Sequence, residues 1–448
     1  MKGLREHLLY RGTNLERQNV VWNVAGSFVY AFASMVLSFL VIRLAGEAQG
    51  GIVSFGFSTL GQQMFIVAYF GLRPFQITDL TGEYSFGDYL AHRRLTCFGA
   101  VASGAVFLAF MKGTGQYSPE KSLILISLVI YKVIDGYADV YESEFQRQGS
   151  LYLTGKSNFF RTILSIGSFL IGLAALGNLL LACVVAVAAQ ILGVALFNLD
   201  VIHALSGVKW KRGEGQMWRL FCSASFLFVS AFLDFYVFSS AKYAIDRRMN
   251  DGASGYFNLI FMPTSVIYMV ANFVIRPFLT KLSSLWGEGS LEPFKRELLR
   301  IGGIILGLTV LAVGASVLLG YRVLSVMEQI LGAEHLGMLR PYYVPFHMIV
   351  LGGGFYALAN LMYYALVIMR RQKAIFIVYL GGSVLAVFLS DALVSNFGIF
   401  GGAGCYLLLM IGLVLGFGAF TVRSFQKEKK EYMGHGGREE QSDRGQVF

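Results

Sequence analysis

The sequence predicts an all-α, polytopic membrane protein with twelve transmembrane helices in two six-helix lobes. Three observations carry that expectation. Of 448 residues, 55% are hydrophobic and only 14% are charged, where a soluble domain carries about a quarter charged. The apolar residues gather in runs of about 20 or more, the length a helix needs to cross a bilayer. A tripeptide also recurs at matching places in the two halves, as Arg73-Pro74-Phe75 and Arg276-Pro277-Phe278.

The apolar runs place spans at 19–44, 51–72, 91–111, 121–145, 156–176, 179–205, 218–241, 255–281, 298–321, 341–369, 373–393 and 398–423. The first run is too long for the core of a cleavable signal peptide and is expected to stay as a span. The organisation that follows is a cytoplasmic segment 1–18, a first lobe 19–205, a basic cytoplasmic linker 206–217, a second lobe 218–425 and a tail 426–448. The tail is charged and poor in apolar residues and is expected to be disordered. Residues 79–94, between spans two and three, read as an interfacial segment on the inner leaflet. The longest connection lies between spans nine and ten.

With the N-terminus inside, 25 lysines and arginines fall on that side and 8 on the other. The positive-inside rule then puts both termini in the cytoplasm. The formal charge of +10 is thus accounted for by membrane topology, and no basic stripe interleaved with aromatics points to nucleic acid. Cys97, Cys183, Cys222 and Cys405 sit in apolar segments without metal-ligand spacing and read as small hydrophobes.

The repeated Arg-Pro-Phe falls at the end of span two and near the end of span eight, which is the second span of its half. Ala48-Gln49-Gly50 pairs with Ala253-Ser254-Gly255 at nearly the same offset. Six spans per half make the repeat parallel, with a cavity expected between the halves.

Ionisable residues at bilayer depth are costly and mark sites. Span four is densest: Lys132, Asp135, Asp139 and Glu142 fall on one helix face at about 100° per residue. They read either as a cavity wall contacting sugar or a coupling cation, or as a structural ion-pair ladder. Asp234 joins them as a candidate contact. Arg43 ends span one and Lys242 sits at the equivalent place in span seven. These are the side chains a diphosphate needs, a bidentate guanidinium and a compact ammonium. Arg43 can equally snorkel to headgroups, as can Arg161. His203 and His347 read as structural. No catalytic motif, metal motif or cofactor motif is present, and no loop is large enough to hold a membrane enzyme's acceptor.

Several segments resemble one family. VIRLAGEAQGGIVSFGFS (41–58), NVVWNVAGS (19–27), FGLRPFQITDL (70–80), EYSFGDYLAHR (83–93) and FNLIFMPTSVIYMVANFVIRPFLTKLSSLW (257–286) are similar to polysaccharide and oligosaccharide-lipid flippases. These belong to the multidrug/oligosaccharidyl-lipid/polysaccharide exporter superfamily. The resemblance implies two six-helix lobes that flip undecaprenyl-diphosphate-linked glycan across the bacterial inner membrane for O-antigen, capsule or exopolysaccharide assembly. Membrane lipids surround such a protein, and a polysaccharide polymerase and glycosyltransferases are its implied partners. It further implies cationic cavity residues, carried over to Arg43, Arg73 and Arg276. Lys132 and Lys242 rest on the burial argument alone. The competing readings are a cation-coupled drug or metabolite antiporter of the same superfamily, a peptidoglycan-precursor flippase, and a membrane ligase or polymerase. Span one carries no carboxylate, which disfavours the antiporter, although Asp135 and Asp139 offer alternatives.

Overall fold

A chain that must satisfy its backbone without water has helices as its simplest solution. In the computed structural model the backbone is described for residues 2–10, 14–79 and 82–444, and side chains for 5–10, 14–79 and 82–430. The fold is 89% helical. In order, the helices are α1 (Lys2–Leu9), α2 (Leu15–Phe55), α3 (Gly61–Tyr69), α4 (Leu72–Thr78), α5 (Phe86–Gly113), α6 (Pro119–Arg147), α7 (Leu151–Leu176), α8 (Leu179–Val194) and the single turn α9 (Asp200–Ile202). They continue with α10 (Gln216–Arg248), α11 (Asp251–Phe261), α12 (Pro263–Gly287), α13 (Leu291–Leu331), α14 (Tyr343–Ile368) and α15 (Gln372–Arg444).

Nine helical stretches are long and apolar enough to cross a membrane among the described residues. Two of them are broken by a glycine in a conformation closed to other residues: Gly46 (φ 86°) in α2 and Gly398 (φ 56°, ψ −132°) in α15. Each break makes two spans of one stretch. The charged α6 supplies the twelfth span, its acidic and basic residues having kept it below the hydropathy of its neighbours. Local signals set the ends. Ser85 and Asp88 form a reciprocal capping box at the start of α5. Ser118 caps α6 ahead of Pro119 at its first position. Gly177 ends α7 in the left-handed conformation.

The chain divides into two compact units. The first comprises Met1–Phe235, Ile245–Leu259 and Ile330–Glu334; the second comprises Tyr236–Ala244, Ile260–Gln329 and His335–Phe448. In the first unit α6 is central, packed on α3, α5, α7 and α8. One apolar cluster on it gathers Leu72, Phe86, Tyr141, Phe145 and Tyr152; another gathers Leu37, Val53, Leu128, Ile166 and Phe169. In the second unit α14 packs on α12 and α15.

A corner of the first unit joins α2, α6, α10 and α11. A Cβ on Gly51 would stand 1.7 Å from the Asp251 carbonyl oxygen. Around that crossing Lys121 donates to Asp246 (3.0 Å) and to Asp251 (2.6 Å). Tyr117 bonds Asp246 and Tyr256 bonds Glu47. Gly51, next to the paired segment 48–50, thus meets Gly255 of the segment 253–255 back to back.

Several expectations need correction. Residues 82–94 do not lie along a leaflet: the capping box starts α5 at Phe86 and carries His92 and Arg93 into full burial. The connection after span nine is short, because α13 stays helical to Leu331 and is followed by 3-10 turns at Ala333–His335 and Arg340–Tyr342. Beyond the last span α15 runs on to Arg444, and the segment from 426 forms its end. The start of that segment is tied down by Arg371 to Glu428 (3.4 Å) and Lys429 to Glu292 (2.6 Å); residues 445–448 lie outside the described ones. The two Arg-Pro-Phe motifs sit in different backbones. Arg73 follows a break at Phe70 and Gly71, both left-handed, whereas Pro277 lies inside the continuous α12.

Candidate functional site

The polar stripe of span four comes together as expected from its spacing, and it faces protein. Lys132, Asp135, Asp139 and Glu142 are all at least nine-tenths buried. An ion at that depth costs several kcal/mol unless paired and hydrogen-bonded, so each must find partners on neighbouring helices.

Asp135 is held from three sides. Arg161 of α7 pairs with one of its oxygens, Gln190 of α8 donates to the same oxygen at 2.7 Å, and Tyr30 of α2 donates to the other at 3.3 Å. Arg161 also reaches Glu142 at 3.0 Å and Asn158 at 2.9 Å. Ser157 bonds Glu142 at 3.2 Å and Asn198 at 3.0 Å. Asn198 stands in a π-helical turn, Ala195–Leu199, and a second such turn, Gly56–Leu60, brings Phe57 beneath Lys132. Such turns often mark functional positions. The Lys132 ammonium lies 3.8 Å from the Phe57 ring centroid and donates to the Tyr30 hydroxyl at 2.8 Å. It forms no ion pair among the described residues.

One turn beyond Asp135 along α6, Asp139 sits between two arginines. Arg73 pairs with its Oδ1 at 2.6 Å and Arg93 with its Oδ2 at 3.0 Å. Arg93 is fully buried and also donates to the Ala68 carbonyl at 2.8 Å. Arg73 keeps a quarter of its side chain exposed and donates to Gln146 at 2.9 Å. Its position depends on the break at Phe70 (φ 54°). A bulky residue pays strain there, and Phe70 is held by stacking on Phe228 and Phe221, with centroids 4.1 and 4.7 Å away.

A second cluster ties the α4–α5 corner to the end of α6. Asp79 accepts from the N–H groups of Glu83 (2.9 Å) and Tyr84 (3.0 Å) and from the Tyr89 hydroxyl (3.1 Å). Arg147 stands 3.7 Å from it and pairs with Glu144 at 2.9 Å. Burial alone would push the Asp79 carboxyl up. The Tyr84 and Glu83 N–H groups, the Tyr89 hydroxyl and Arg147 outweigh burial and hold it below the ordinary carboxylate range. A group depressed on folding stabilises above its unfolded pKa, and that contribution is lost as pH falls through the folded value. Acidification is therefore expected to loosen this corner, and Asp79→Asn to flatten that acid dependence of the melting temperature. An unchanged acid limb in the variant would remove Asp79 as its origin.

The remaining predicted residues are dispersed. Arg43 is exposed and donates to the Ile330 carbonyl at 3.3 Å. Asp234 is half-buried on α10. Within the second unit, Lys242 is buried with its ammonium 4.3 Å from the Phe261 ring centroid. Arg276 is exposed on α12. Neither is in an ion pair among the described residues. No group of three His, Cys, Asp or Glu residues is placed to hold a metal ion among the described residues. His203 stacks on Trp210 at 4.7 Å, and His347 lies against Tyr343 at 4.1 Å.

Sequence reasoning missed Arg93 and left Arg161 open between bilayer depth and a headgroup. Both were counted with the cytoplasmic charges, as was Lys156, which is buried and donates to the carbonyls of His7, Leu8 and Tyr10. For Arg161 the available signal was its place inside the apolar run NFFRTILS. For Arg93 there was none, since Arg94 beside it is exposed.

No protein-family model matches the sequence, and no curated protein matches it. Solved structures do. An inward-facing conformation of a multidrug resistance MATE family transporter of the MOP superfamily superposes with a TM-score of 0.66 at 12% identity, over 90% of this chain and 95% of that one. The lipid II flippase MurJ in an inward closed conformation gives 0.65 at 14%, over 91% and 90%. The eukaryotic MATE transporter AtDTX14 gives 0.62 at 14%, over 93% and 98%. At these identities the likeness is one of fold: twelve transmembrane helices in two six-helix lobes.

Proposed function

We propose that this chain, which has the fold of MOP-superfamily transporters, is a flippase for polyprenyl-diphosphate-linked oligosaccharide. It would move the glycan-bearing head from the inner to the outer leaflet of a bacterial cell membrane, with both termini cytoplasmic and with glycosyltransferases and a polymerase acting before and after it. The observation that supports this reading is a surplus of positive charge at membrane depth. In the first unit Arg73, Arg93, Arg161 and Lys132 face Asp135, Asp139 and Glu142, and Lys132 is the one left without a carboxylate in contact. In the second unit Lys242 is buried against an aromatic face alone. Desolvated cations of this kind favour an anionic cargo. A diphosphate crossing hydrocarbon unaided meets an idealised cost of order 20 kcal/mol per charge, and cationic groups along a wet path lower it. Arg43, Arg73 and Arg276 would add contacts nearer the two surfaces, and Asp234 and the carboxylates of α6 would meet sugar hydroxyls or a coupling ion.

The test is in cells. Loss of the protein should leave lipid-linked repeat units on the inner leaflet, with surface glycan depleted. Lys132→Met and Lys242→Met, which keep side-chain length, should each cut transport at least roughly tenfold while protein levels hold, the worth of one charge-assisted contact. Normal surface glycan in the deletion strain would rule the reading out. The second reading, a cation-coupled drug antiporter, is favoured by the buried carboxylates Asp135 and Asp139 together with the MATE likeness. It predicts dye efflux that Asp135→Asn abolishes, and no lipid-linked intermediate.

A further inference from the structure

We infer that Asp139 is a built-in competitor for the cargo's phosphate at Arg73, and so the group that lets cargo go. The inference rests on the reading that the cargo carries a diphosphate, and it assigns this carboxylate a role opposite to that of a contact.

The geometry separates Asp139 from the other two carboxylates of the stripe. Asp135 and Glu142 share Arg161, whose two terminal nitrogens are both taken by these carboxylates. Asp139 instead bridges an arginine that solvent reaches and one that it does not: the Arg73 side chain is 25% exposed, the Arg93 side chain 0%. Each arginine takes a different oxygen. When Arg73 turns to a phosphate, Asp139 keeps Arg93 on Oδ2, and Ser143 within 3.4 Å of the same oxygen. The exchange therefore never strands a bare carboxylate in the protein, which is the costly outcome for a buried ion. Arg93 in turn is fixed by the Ala68 carbonyl, so Asp139 stays in place to reclaim Arg73. A guanidinium with a resident carboxylate binds phosphate less tightly than a free one, because one anion must be displaced by the other. A carrier needs that weakness in order to release.

Two isosteric changes predict opposite signs. Asp139→Asn removes the competitor. Gln146→Glu adds one, because Gln146 already accepts from the other Arg73 nitrogen at 2.9 Å and is only half-buried. Affinity of the purified full chain is measured with a short-chain polyprenyl diphosphate, with the matching polyprenol as the control for tail binding. Asp139→Asn should bind the diphosphate roughly tenfold more tightly and Gln146→Glu roughly tenfold more weakly, the worth of a charged hydrogen bond. Asp139→Asn should also transport more slowly despite binding better. A structural role for Asp139 would lower affinity and transport together. Should Asp139→Asn fail to fold, Gln146→Glu decides alone. Diphosphate binding in the wild type that Gln146→Glu leaves unchanged overturns the competition but not the flippase reading. Equal binding of diphosphate and polyprenol by the wild type overturns both.

Discussion

Replacing Arg161 by alanine is expected to destabilise the folded protein by about 3–5 kcal/mol, the largest single-residue effect here. The guanidinium is the shared counter-ion of Asp135 and Glu142. Without it two carboxylates at membrane depth retain only neutral donors, Gln190 and Tyr30 on one and Ser157 on the other. Both would then be buried without a counter-ion in contact. The measurement is the melting temperature of the purified chain in detergent. The variant should melt well below wild type. A triple change, Arg161→Met with Asp135→Asn and Glu142→Gln, should recover most of the loss, since a buried ionic cluster and its neutral replacement are often near parity. A single variant that melts with wild type would show that the cluster contributes nothing to the fold.

Gly51→Leu is expected to have the next largest effect. Its Cβ would fall on the Asp251 carbonyl, which is backbone and cannot swing aside. Overpacking a fitted contact costs about 1–3 kcal/mol, and the rigid obstacle puts this case at the upper end. Separating α2 from α11 also pulls Asp251 from Lys121 and Glu47 from Tyr256. Gly51→Ala already carries the offending atom and should show a graded form of the same defect. A melting temperature and transport rate unchanged in Gly51→Leu would mean that the crossing opens without penalty.

The sequence made the spans and the α6 stripe readable because both are local. Run length alone defines a span, and the spacing of Lys132, Asp135, Asp139 and Glu142 puts them on one face whatever lies opposite. What lies opposite was not readable. Arg93 meets Asp139 across 46 residues of chain and Arg161 meets Asp135 across 26. Nothing in a window of helix length distinguishes Arg93 from an arginine anchored at a headgroup, and for Arg161 only its apolar flanks do. The repeated Arg-Pro-Phe pointed to two six-helix lobes, but not to a shared local backbone. A tripeptide does not carry its backbone with it, and the left-handed pair Phe70–Gly71 upstream of Arg73 has no counterpart in α12.

The ammonium groups of Lys132 and Lys242, which no carboxylate contacts, also have an electrical consequence. A doubly esterified diphosphate carries two negative charges, so under the proposed function the cargo offsets in number the two ammonium charges that the empty protein carries uncompensated. Each charge moved fully across the field is worth about 2.3 kcal/mol per 100 mV. An inside-negative membrane would then do little to the loaded step and would speed the empty return. Turnover in reconstituted vesicles should rise with an inside-negative potential only when cargo is abundant and the return step limits. In Lys132→Met with Lys242→Met that dependence should move to the loaded step.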